Sequence, residues 1–214
     1  MMTTVSISDG ATRLDGELIL PSDAQGIVVF AHGSGSSRFS PRNNYVAKVI
    51  QDRGLGTLLF DLLTRQEDQD YATRFEIGLL TQRLLVATTW LKTETKTSGL
   101  RIGYFGASTG AAAALQVAAN LGSKVAAVVS RGGRPDLAGE QALVKVISPT
   151  LLLVGGADYG VIELNQQAYS RLQCEKQLSL IPEATHLFEE PGTLEQVANQ
   201  AANWFIRYLT ETAE

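Results

Sequence analysis

The chain has 214 residues and a formal net charge of −4; 44% of its residues are hydrophobic and 19% are charged. This length and composition exclude a disulfide-stapled mini-protein and a disordered chain, since about 70% of the unfolded surface can be buried on folding. The 18 basic and 22 acidic residues include no basic run, so nucleic acid is not an expected partner. We expect a single domain over residues 1–214.

The amino-terminal segment and the cysteine content bear on location and on metals. The first ten residues, MMTTVSISDG, lack the basic and apolar regions of an export signal, and no apolar run reaches the ~20 residues of a membrane helix. Cys174 is the single cysteine and there are two histidines, so neither an internal disulfide nor a Cys/His zinc cluster is expected. The sequence therefore predicts a cytoplasmic protein that binds no membrane and no structural metal.

The predicted elements alternate after an opening pair of strands. Alternating apolar residues between Thr3 and Leu20, around the turn Asp9-Gly10, predict an antiparallel pair. Short apolar runs then alternate with segments of helical spacing, which is typical of parallel strands covered on both faces and joined by right-handed crossovers. The predicted strands are 26–31, 56–60, 100–105, 125–129, 150–154 and 177–181, and the predicted helices are 45–53, 71–91, 109–121, 161–172 and 194–209.

The most informative motif is Gly106-Ala107-Ser108-Thr109-Gly110, which lies between a predicted strand and a predicted helix. A tight strand-to-helix turn needs small neighbours, so the flanking glycines would present the Ser108 hydroxyl above the sheet. The N–H of Thr109, at the start of the helix, would then face developing negative charge. The pattern predicts a nucleophile elbow, and the alternative is a glycine-softened turn in which Ser108 caps the helix.

A serine nucleophile needs a base, and only two histidines are available. His186 follows the last predicted strand and is the predicted base. His32 follows the first parallel strand, and we expect it to brace its loop at the substrate site. Asp158, at another strand end between the serine and His186, is the predicted acid that orients the imidazole, with Asp136 as the alternative.

The second oxyanion donor is expected in the loop His32-Gly33-Ser34-Gly35, because its glycines let backbone N–H groups approach a ligand closely. We predict that the Ser34 N–H joins the Thr109 N–H in this role, with Gly35 as the alternative donor. The polar connection 64–70 follows another strand end, where ligand-facing loops of α/β sheets lie, although a solvated loop is the simpler interpretation.

Several charged residues follow strand ends on the same side of the predicted sheet. Arg131, with Arg38 as a second contact, is predicted to bind a substrate carboxylate, and Arg42 and Arg134 could converge with them. Solvated surface arginines are the alternative. Asp61, which also lies at a strand end, is expected to be structural.

Together these motifs resemble those of the α/β-hydrolase superfamily and, within it, of small proteins similar to dienelactone hydrolases. The resemblance covers nearly the whole chain and rests on the H-G-x-G loop at 32–35, the elbow at Ser108, the Gly-x-Asp strand end at 156–158 and the late His186. It implies a three-layer α/β-hydrolase sandwich with an eight-stranded, mostly parallel sheet whose second strand is antiparallel. It also implies a Ser-His-Asp triad.

The chain departs from dienelactone hydrolases at the elbow, where those proteins carry cysteine and this chain carries Ser108. Dienelactone chemistry is therefore not carried over, and a small ester or lactone is the expected substrate. Lid domains in this superfamily usually enter after the strand at 125–129, yet only about twenty residues separate Val129 from Thr150. No cap domain is expected, which favours an open cleft.

The predicted function is serine hydrolysis through an acyl-enzyme intermediate, by a monomer or homodimer that needs no metal or organic cofactor. One alternative is hydrolysis of amide, thioester or carbon–carbon bonds on the same scaffold, because the elbow does not distinguish bond types. The other is a non-catalytic ligand-binding protein that retains the fold. The ordered set Ser108, Asp158 and His186 disfavours that second alternative.

Overall fold

The computed structural model describes residues 2–210, which form one sheet with helices on both of its faces. In chain order its strands are β1 (Met2–Asp9), β2 (Thr12–Ile19), β3 (Gly26–Ala31), β4 (Gly56–Phe60), β5 (Arg101–Ala107), β6 (Val125–Arg131), β7 (Thr150–Gly155) and β8 (Lys176–Ile181). The helices are α1 (Pro41–Asp52), α2 (Ile77–Thr93), α3 (Thr109–Leu121), α4 (Glu140–Leu143), α5 (Tyr159–Arg171) and α6 (Thr193–Thr210). None of the helices in this part of the chain is long and apolar enough to span a bilayer.

The strands lie in the order β1-β2-β4-β3-β5-β6-β7-β8. Strand β2 is antiparallel to both of its neighbours, β1 and β4, and all the other adjacent strands are parallel. Between β6 and β7 the described chain contains only a 3-10 turn and the four-residue helix α4, so no cap domain enters there. The predicted three-layer α/β-hydrolase sandwich is confirmed.

Two apolar layers hold the helices on the sheet. Successive side chains of a strand point to opposite faces, so Val28 and Phe30 of β3 pack against α1 and α6, while Ile27 and Val29 pack on the face covered by α2, α3, α4 and α5. Burial on both faces explains why the parallel strands have almost continuous apolar sequences. Each large side chain in these layers contributes roughly 1.5–3 kcal/mol relative to an exposed position.

Several elements begin or end at residues other than those predicted. Helix α1 begins at Pro41 rather than residue 45, because the Ser40 hydroxyl accepts a hydrogen bond from the N–H of Asn43 at 3.3 Å and proline suits the first helical position. Helix α2 begins at Ile77 rather than residue 71, because a 3-10 turn occupies 73–75. Strands β5 and β6 each extend two residues beyond the predicted end, up to the functional residues.

Both ends of the described chain lie near the amino ends of the parallel strands. Met2 pairs with Ile19, which in turn pairs with Thr57 near the start of β4. At the other end of the described chain, the side chain of Leu209 packs against Gly26, the first residue of β3. A Cβ placed on Gly26 would lie 2.7 Å from the Cβ of Leu209. The predicted functional residues follow the opposite, carboxyl ends of the strands.

Candidate active site

The predicted elbow serine lies between β5 and α3 in a strained backbone conformation. Ser108 has φ 49° and ψ −120°, a region that L-residues rarely occupy and that persists only where the surroundings impose it. Its N–H donates to the carbonyl of Arg131 at 3.2 Å, and its carbonyl accepts from the N–H of Arg134 at 3.0 Å. Hydrogen bonds from the end of β6 therefore hold the turn that presents the serine.

Close packing around the elbow accounts for the glycines of the motif. A Cβ at Gly110 would lie 2.1 Å from the carbonyl oxygen of Ala31, and one at Gly106 would lie 2.4 Å from the Cα of Ala111. Any larger residue at either position would push α3 away from β3 and β5. The glycines therefore let the helix begin directly behind Ser108, against the sheet.

The predicted base and its orienting acid are in contact. Nδ1 of His186 lies 2.7 Å from Oδ2 of Asp158, which places the ring N–H at Nδ1 and leaves Nε2 free to accept a proton. The loops that carry the two residues are joined by the N–H of Ala157, which donates to the carbonyl of Ala184 at 2.9 Å. Asp158 and His186 therefore form one unit at the ends of β7 and β8.

Asp136, the alternative acid, contacts Arg134 instead of a histidine. Its two carboxylate oxygens accept hydrogen bonds from Arg134 at 2.9 and 2.7 Å. This bidentate hydrogen bonding raises the pKa of Arg134, an effect that desolvation partly opposes. Asp136 also lies in the 3-10 turn Pro135–Ala138, so it serves as a local structural residue.

No direct hydrogen bond joins the side chains of Ser108 and His186. The Ser108 hydroxyl has no hydrogen-bond partner within residues 2–210. A Cβ at Gly33 would lie 3.0 Å from the Cβ of Ser108, and one at Gly132 would lie 3.5 Å from Cε1 of His186. The His186 side chain is 40% exposed, so part of its ring is accessible to solvent.

The Ser34 N–H is oriented by the carbonyl on the other side of its peptide bond. The Gly33 carbonyl accepts from the N–H of Ser36 at 3.2 Å and lies 3.0 Å from Nδ1 of His32. In a planar trans peptide the C=O and N–H point in opposite directions, so the Ser34 N–H points away from this cluster. It has no acceptor within residues 2–210.

His32 is buried and hydrogen-bonded through both of its ring nitrogens. Its Nε2 accepts a hydrogen bond from the N–H of Leu62 at 2.9 Å, and its Nδ1 faces the Gly33 carbonyl, so both ring nitrogens are used within the fold. The residue is 6% exposed. Burial lowers the pKa of His32 and therefore favours the neutral ring. The hydrogen bond to the Gly33 carbonyl raises the pKa and offsets part of this effect. His32 braces its loop, and its predicted contact with substrate stays a prediction.

The four arginines do not form the convergent cluster considered from the sequence. Arg38 forms an ion pair with Asp61, whose carboxylate also accepts the backbone N–H of Arg38 at 2.8 Å. Arg134 is bound to Asp136, so both of these arginines have a carboxylate partner within the fold. Arg42 pairs with Glu189 at 3.1 Å on the carboxyl side of the sheet. Arg131 is buried against α1 and forms no ion pair within residues 2–210.

A narrow crevice beside the predicted oxyanion loop contains residues that the sequence did not single out. It is lined by Ser34, Gly35 and Thr109 together with Asp68 and Arg74 from the connection between β4 and α2. The guanidinium of Arg74 donates to the carbonyl of Asp68 at 2.6 Å, which fixes this connection. The position of residues 64–70 after a strand end was the available signal, but Arg74 lies beyond that segment.

A wider groove lies elsewhere, at the amino ends of the strands. It has a volume of about 620 Å³ and is lined by apolar residues that include Leu18, Leu20, Trp90 and Leu100. None of the predicted catalytic residues borders it. Within residues 2–210 no cluster of three or more His, Cys, Asp or Glu side chains could hold a metal ion.

Comparison with known proteins identifies the family of the chain. The family model described as the dienelactone hydrolase family matches residues 14–211. The crystal structure of a dienelactone hydrolase from Anabaena variabilis has a TM-score of 0.94 and 56% sequence identity, over 98% of each chain. Est1E from Butyrivibrio proteoclasticus shares the fold with a TM-score of 0.83 over 97% of this chain and 99% of its own, at 15% identity.

Two curated relatives are longer than this chain. Two Mycobacterium tuberculosis proteins, from strains CDC 1551 and H37Rv, are each 56% identical over 205 residues and carry names that suggest a phosphoribosyl transferase. The match covers 96% of this chain but 46% of each relative, so the chain spans less than half of their length. The family model covers most of the chain, and this chain belongs to the dienelactone hydrolase family.

Proposed function

We propose that this chain is a serine hydrolase that cleaves small esters or lactones through Ser108, His186 and Asp158. The observation that carries the proposal is the strained Ser108, with φ 49° and ψ −120°, beside a His186–Asp158 pair whose Nε2 is free. A helix cap does not require this strain, and Ser108 makes no side-chain capping bond to α3. The geometry therefore favours a reactive serine over the turn and binding-protein alternatives.

The reaction would begin when Ser108 Oγ attacks the ester carbonyl carbon and His186 Nε2 takes the hydroxyl proton. Asp158 accepts a hydrogen bond from the Nδ1–H and stabilises the imidazolium. The absence of a Ser108–His186 hydrogen bond in the free protein is compatible with this step, because such contacts often shorten only when substrate is bound.

The carbonyl oxygen gains negative charge as the carbon becomes tetrahedral. The N–H of Thr109 lies in the first turn of α3, where N–H groups lack intrahelical acceptors, and the Ser34 N–H is also unpaired within residues 2–210. We assign the oxyanion to these two donors. Collapse of the intermediate breaks the ester C–O bond, and His186 gives its proton to the leaving alkoxide.

Water then attacks the acyl-enzyme while His186 removes one of its protons. The second tetrahedral intermediate collapses to release the acid, and the proton returns to Ser108 Oγ. Only side chains and backbone groups of this chain are used. Because no cap domain covers this edge between β6 and β7, we expect small or accessible acyl groups to react better than long-chain emulsified lipids.

A fluorophosphonate probe tests the nucleophile, because an activated serine displaces fluoride and keeps the phosphonyl group. We expect labelling at Ser108, identified by peptide mass spectrometry, and its loss in Ser108→Ala and His186→Ala. Ser34→Ala is the matched control, since it removes a nearby hydroxyl but keeps the proposed backbone donor. A folded wild-type protein that is labelled neither by this probe nor by a smaller one would contradict the proposal.

A panel of methyl and p-nitrophenyl esters, a lactone, an amide and a thioester then defines the bond type. We expect the highest kcat/KM for an ester or lactone. Phosphoribosyl transfer, suggested by the names of the two longer relatives, gives no role to the Ser108 elbow. It is therefore not proposed for this chain.

A further inference from the structure

Arg131 is a buried cation whose counter-charge is missing from the surrounding fold. It is 7% exposed, yet it forms no ion pair with a carboxylate of residues 2–210. Its Nη2 lies 3.4 Å from Oδ1 of Asn43, its Nε has no hydrogen-bond partner, and its central carbon lies 5.8 Å from the Phe188 ring centre. A buried charge is strongly unfavourable unless an opposite charge accompanies it, so this position favours an anion.

The surroundings of Arg131 add positive potential. Arg131 points to the same face of β6 as Val129, toward the first turn of α1, which carries Arg42 and no acidic residue. Burial, and to a lesser extent the charge of Arg42, lower the pKa of Arg131 to about 10, so the guanidinium remains charged at neutral pH. The Nε of Arg42 also lacks a hydrogen-bond partner within residues 2–210.

The local carboxylate is a loose partner. Glu189 pairs with Arg42 at 3.1 Å, but its side chain is 65% exposed and it forms no ion pair with Arg131. Exposed ion pairs contribute little, so a ligand can displace Glu189 at a small energetic cost. The Arg42 side chain is itself about one-third exposed and gives the cluster contact with solvent.

The same cluster adjoins the proposed catalytic residues. The Arg131 carbonyl accepts the N–H of Ser108, and the next residue, Gly132, lies against the ring of His186. Phe188, beside the Arg131 guanidinium, belongs to the loop that carries His186. An anion bound by Arg131 would therefore lie next to the loop that carries the base.

We propose that Arg131, Arg42 and the amino terminus of α1 form a binding site for one oxyanion, either a carboxylate or a phosphate. A guanidinium can donate two parallel hydrogen bonds to either group, and the helix terminus favours negative charge. The anion is supplied by an acidic substituent of the ester or by a free ion. The first source rests on the proposed function, whereas binding of a free ion does not.

Thermal unfolding with increasing inorganic phosphate or acetate tests binding without requiring catalysis. We expect either ion to raise the Tm of the wild type and of Arg53→Gln, a control at the other end of α1. The increase should disappear in Arg131→Met and Arg42→Gln and become larger in Glu189→Gln, which lacks the competing carboxylate. Because Arg131→Met removes an uncompensated buried charge, its Tm without added anion should equal or exceed that of the wild type.

A matched pair of esters tests the source of the anion. Monomethyl succinate carries a free carboxylate, whereas methyl butyrate has a similar size and no charge. We expect Arg131→Met and Arg42→Gln to raise the ratio of KM for monomethyl succinate to KM for methyl butyrate about tenfold, as expected for a lost charge-assisted hydrogen bond. Arg42→Gln keeps the test decisive if Arg131→Met does not fold.

The outcomes separate the two proposals. Phosphate-dependent stabilisation that the arginine variants lose supports the site with a free ion, and a charged-ester preference that they lose supports a substrate anion. If the folded wild type shows neither effect, the anion site is overturned and the proposed hydrolysis is unaffected. Conversely, if Ser108→Ala hydrolyses both esters normally while phosphate still raises its Tm, the proposed function fails and the anion site stands.

Discussion

The loops carrying His32 and His186 each follow the carboxyl end of a parallel strand, but they hold their histidines in opposite ways. His32 is buried, and its two ring nitrogens contact the backbone of Leu62 and Gly33. His186 is partly exposed; one ring nitrogen contacts Asp158, and within residues 2–210 the other has no partner. Hydrogen bonding therefore separates a histidine that shapes a loop from one that can exchange protons.

Replacing His186 should give the largest change and the clearest contrast between the loops. We expect His186→Ala to lower kcat for the best ester by about 10⁶-fold, because the serine loses its only base. Wild-type unfolding behaviour would show that the loss is chemical. A kcat within tenfold of the wild type would mean that the His186 loop is not the catalytic one.

Replacing Asp158, the hydrogen-bond partner of His186, tests whether that partner sets the histidine apart. We expect Asp158→Asn to lower kcat by about 10⁴-fold, because an amide favours the wrong imidazole tautomer and does not stabilise the imidazolium. The matched variant Asp136→Asn, which disrupts a surface pair with Arg134, should retain kcat within a few-fold. The reverse ranking in steady-state kinetics would transfer the role to Asp136.

His32→Ala should impair both stability and activity. The variant leaves the Leu62 N–H and the Gly33 carbonyl without their side-chain partner, and we expect a loss of about 1–3 kcal/mol in urea unfolding. The Ser34 peptide would lose its orientation, so kcat should fall about 10²–10³-fold, the range for a lost oxyanion donor. Full activity in a destabilised variant would remove Ser34 from the oxyanion assignment.

The pH dependence of the free energy of unfolding should show a smaller effect, which is specific to His32. The pKa of His32 is lower in the folded protein, so below about pH 6.5 the unfolded chain binds a proton that the folded protein does not. Stability should therefore be fully present above this pH and fall as pH decreases, by at most about 1.4 kcal/mol per pH unit from this group. Urea unfolding between pH 5.5 and 7.5 should show a shallower slope in His32→Ala; equal slopes would argue against a buried neutral ring.

The fold and the strand-to-helix motif were predictable because they depend on local patterns. Apolar runs identify strands buried on both faces, and the glycines around Ser108 reflect the close contacts with Ala31 and Ala111. The His186–Asp158 contact, which agrees with the predicted pairing, follows from side chains placed at the carboxyl ends of neighbouring parallel strands. Spacing and topology were sufficient for these features.

Side-chain partners within loops were not predictable, because they depend on contacts between segments that are distant in sequence. Arg38 meets Asp61 across 23 residues, and Arg42 meets Glu189 across 147. The Arg74 position depends on a 3-10 turn where the sequence favoured a longer helix. Charge and position after a strand could not distinguish paired arginines from Arg131, whose burial depends on α1 and Phe188.

The location of residues 2 and 210, which bound the described segment, has a practical consequence for building larger assemblies. Met2 lies beside the last residue of β2, and Leu209 packs near the first residue of β3, at the edge opposite Ser108. A tether or domain joined at residue 2 or residue 210 would start at the edge opposite Ser108. The protein can therefore be immobilised on a surface, or joined to a second module, with the proposed active site still facing solution.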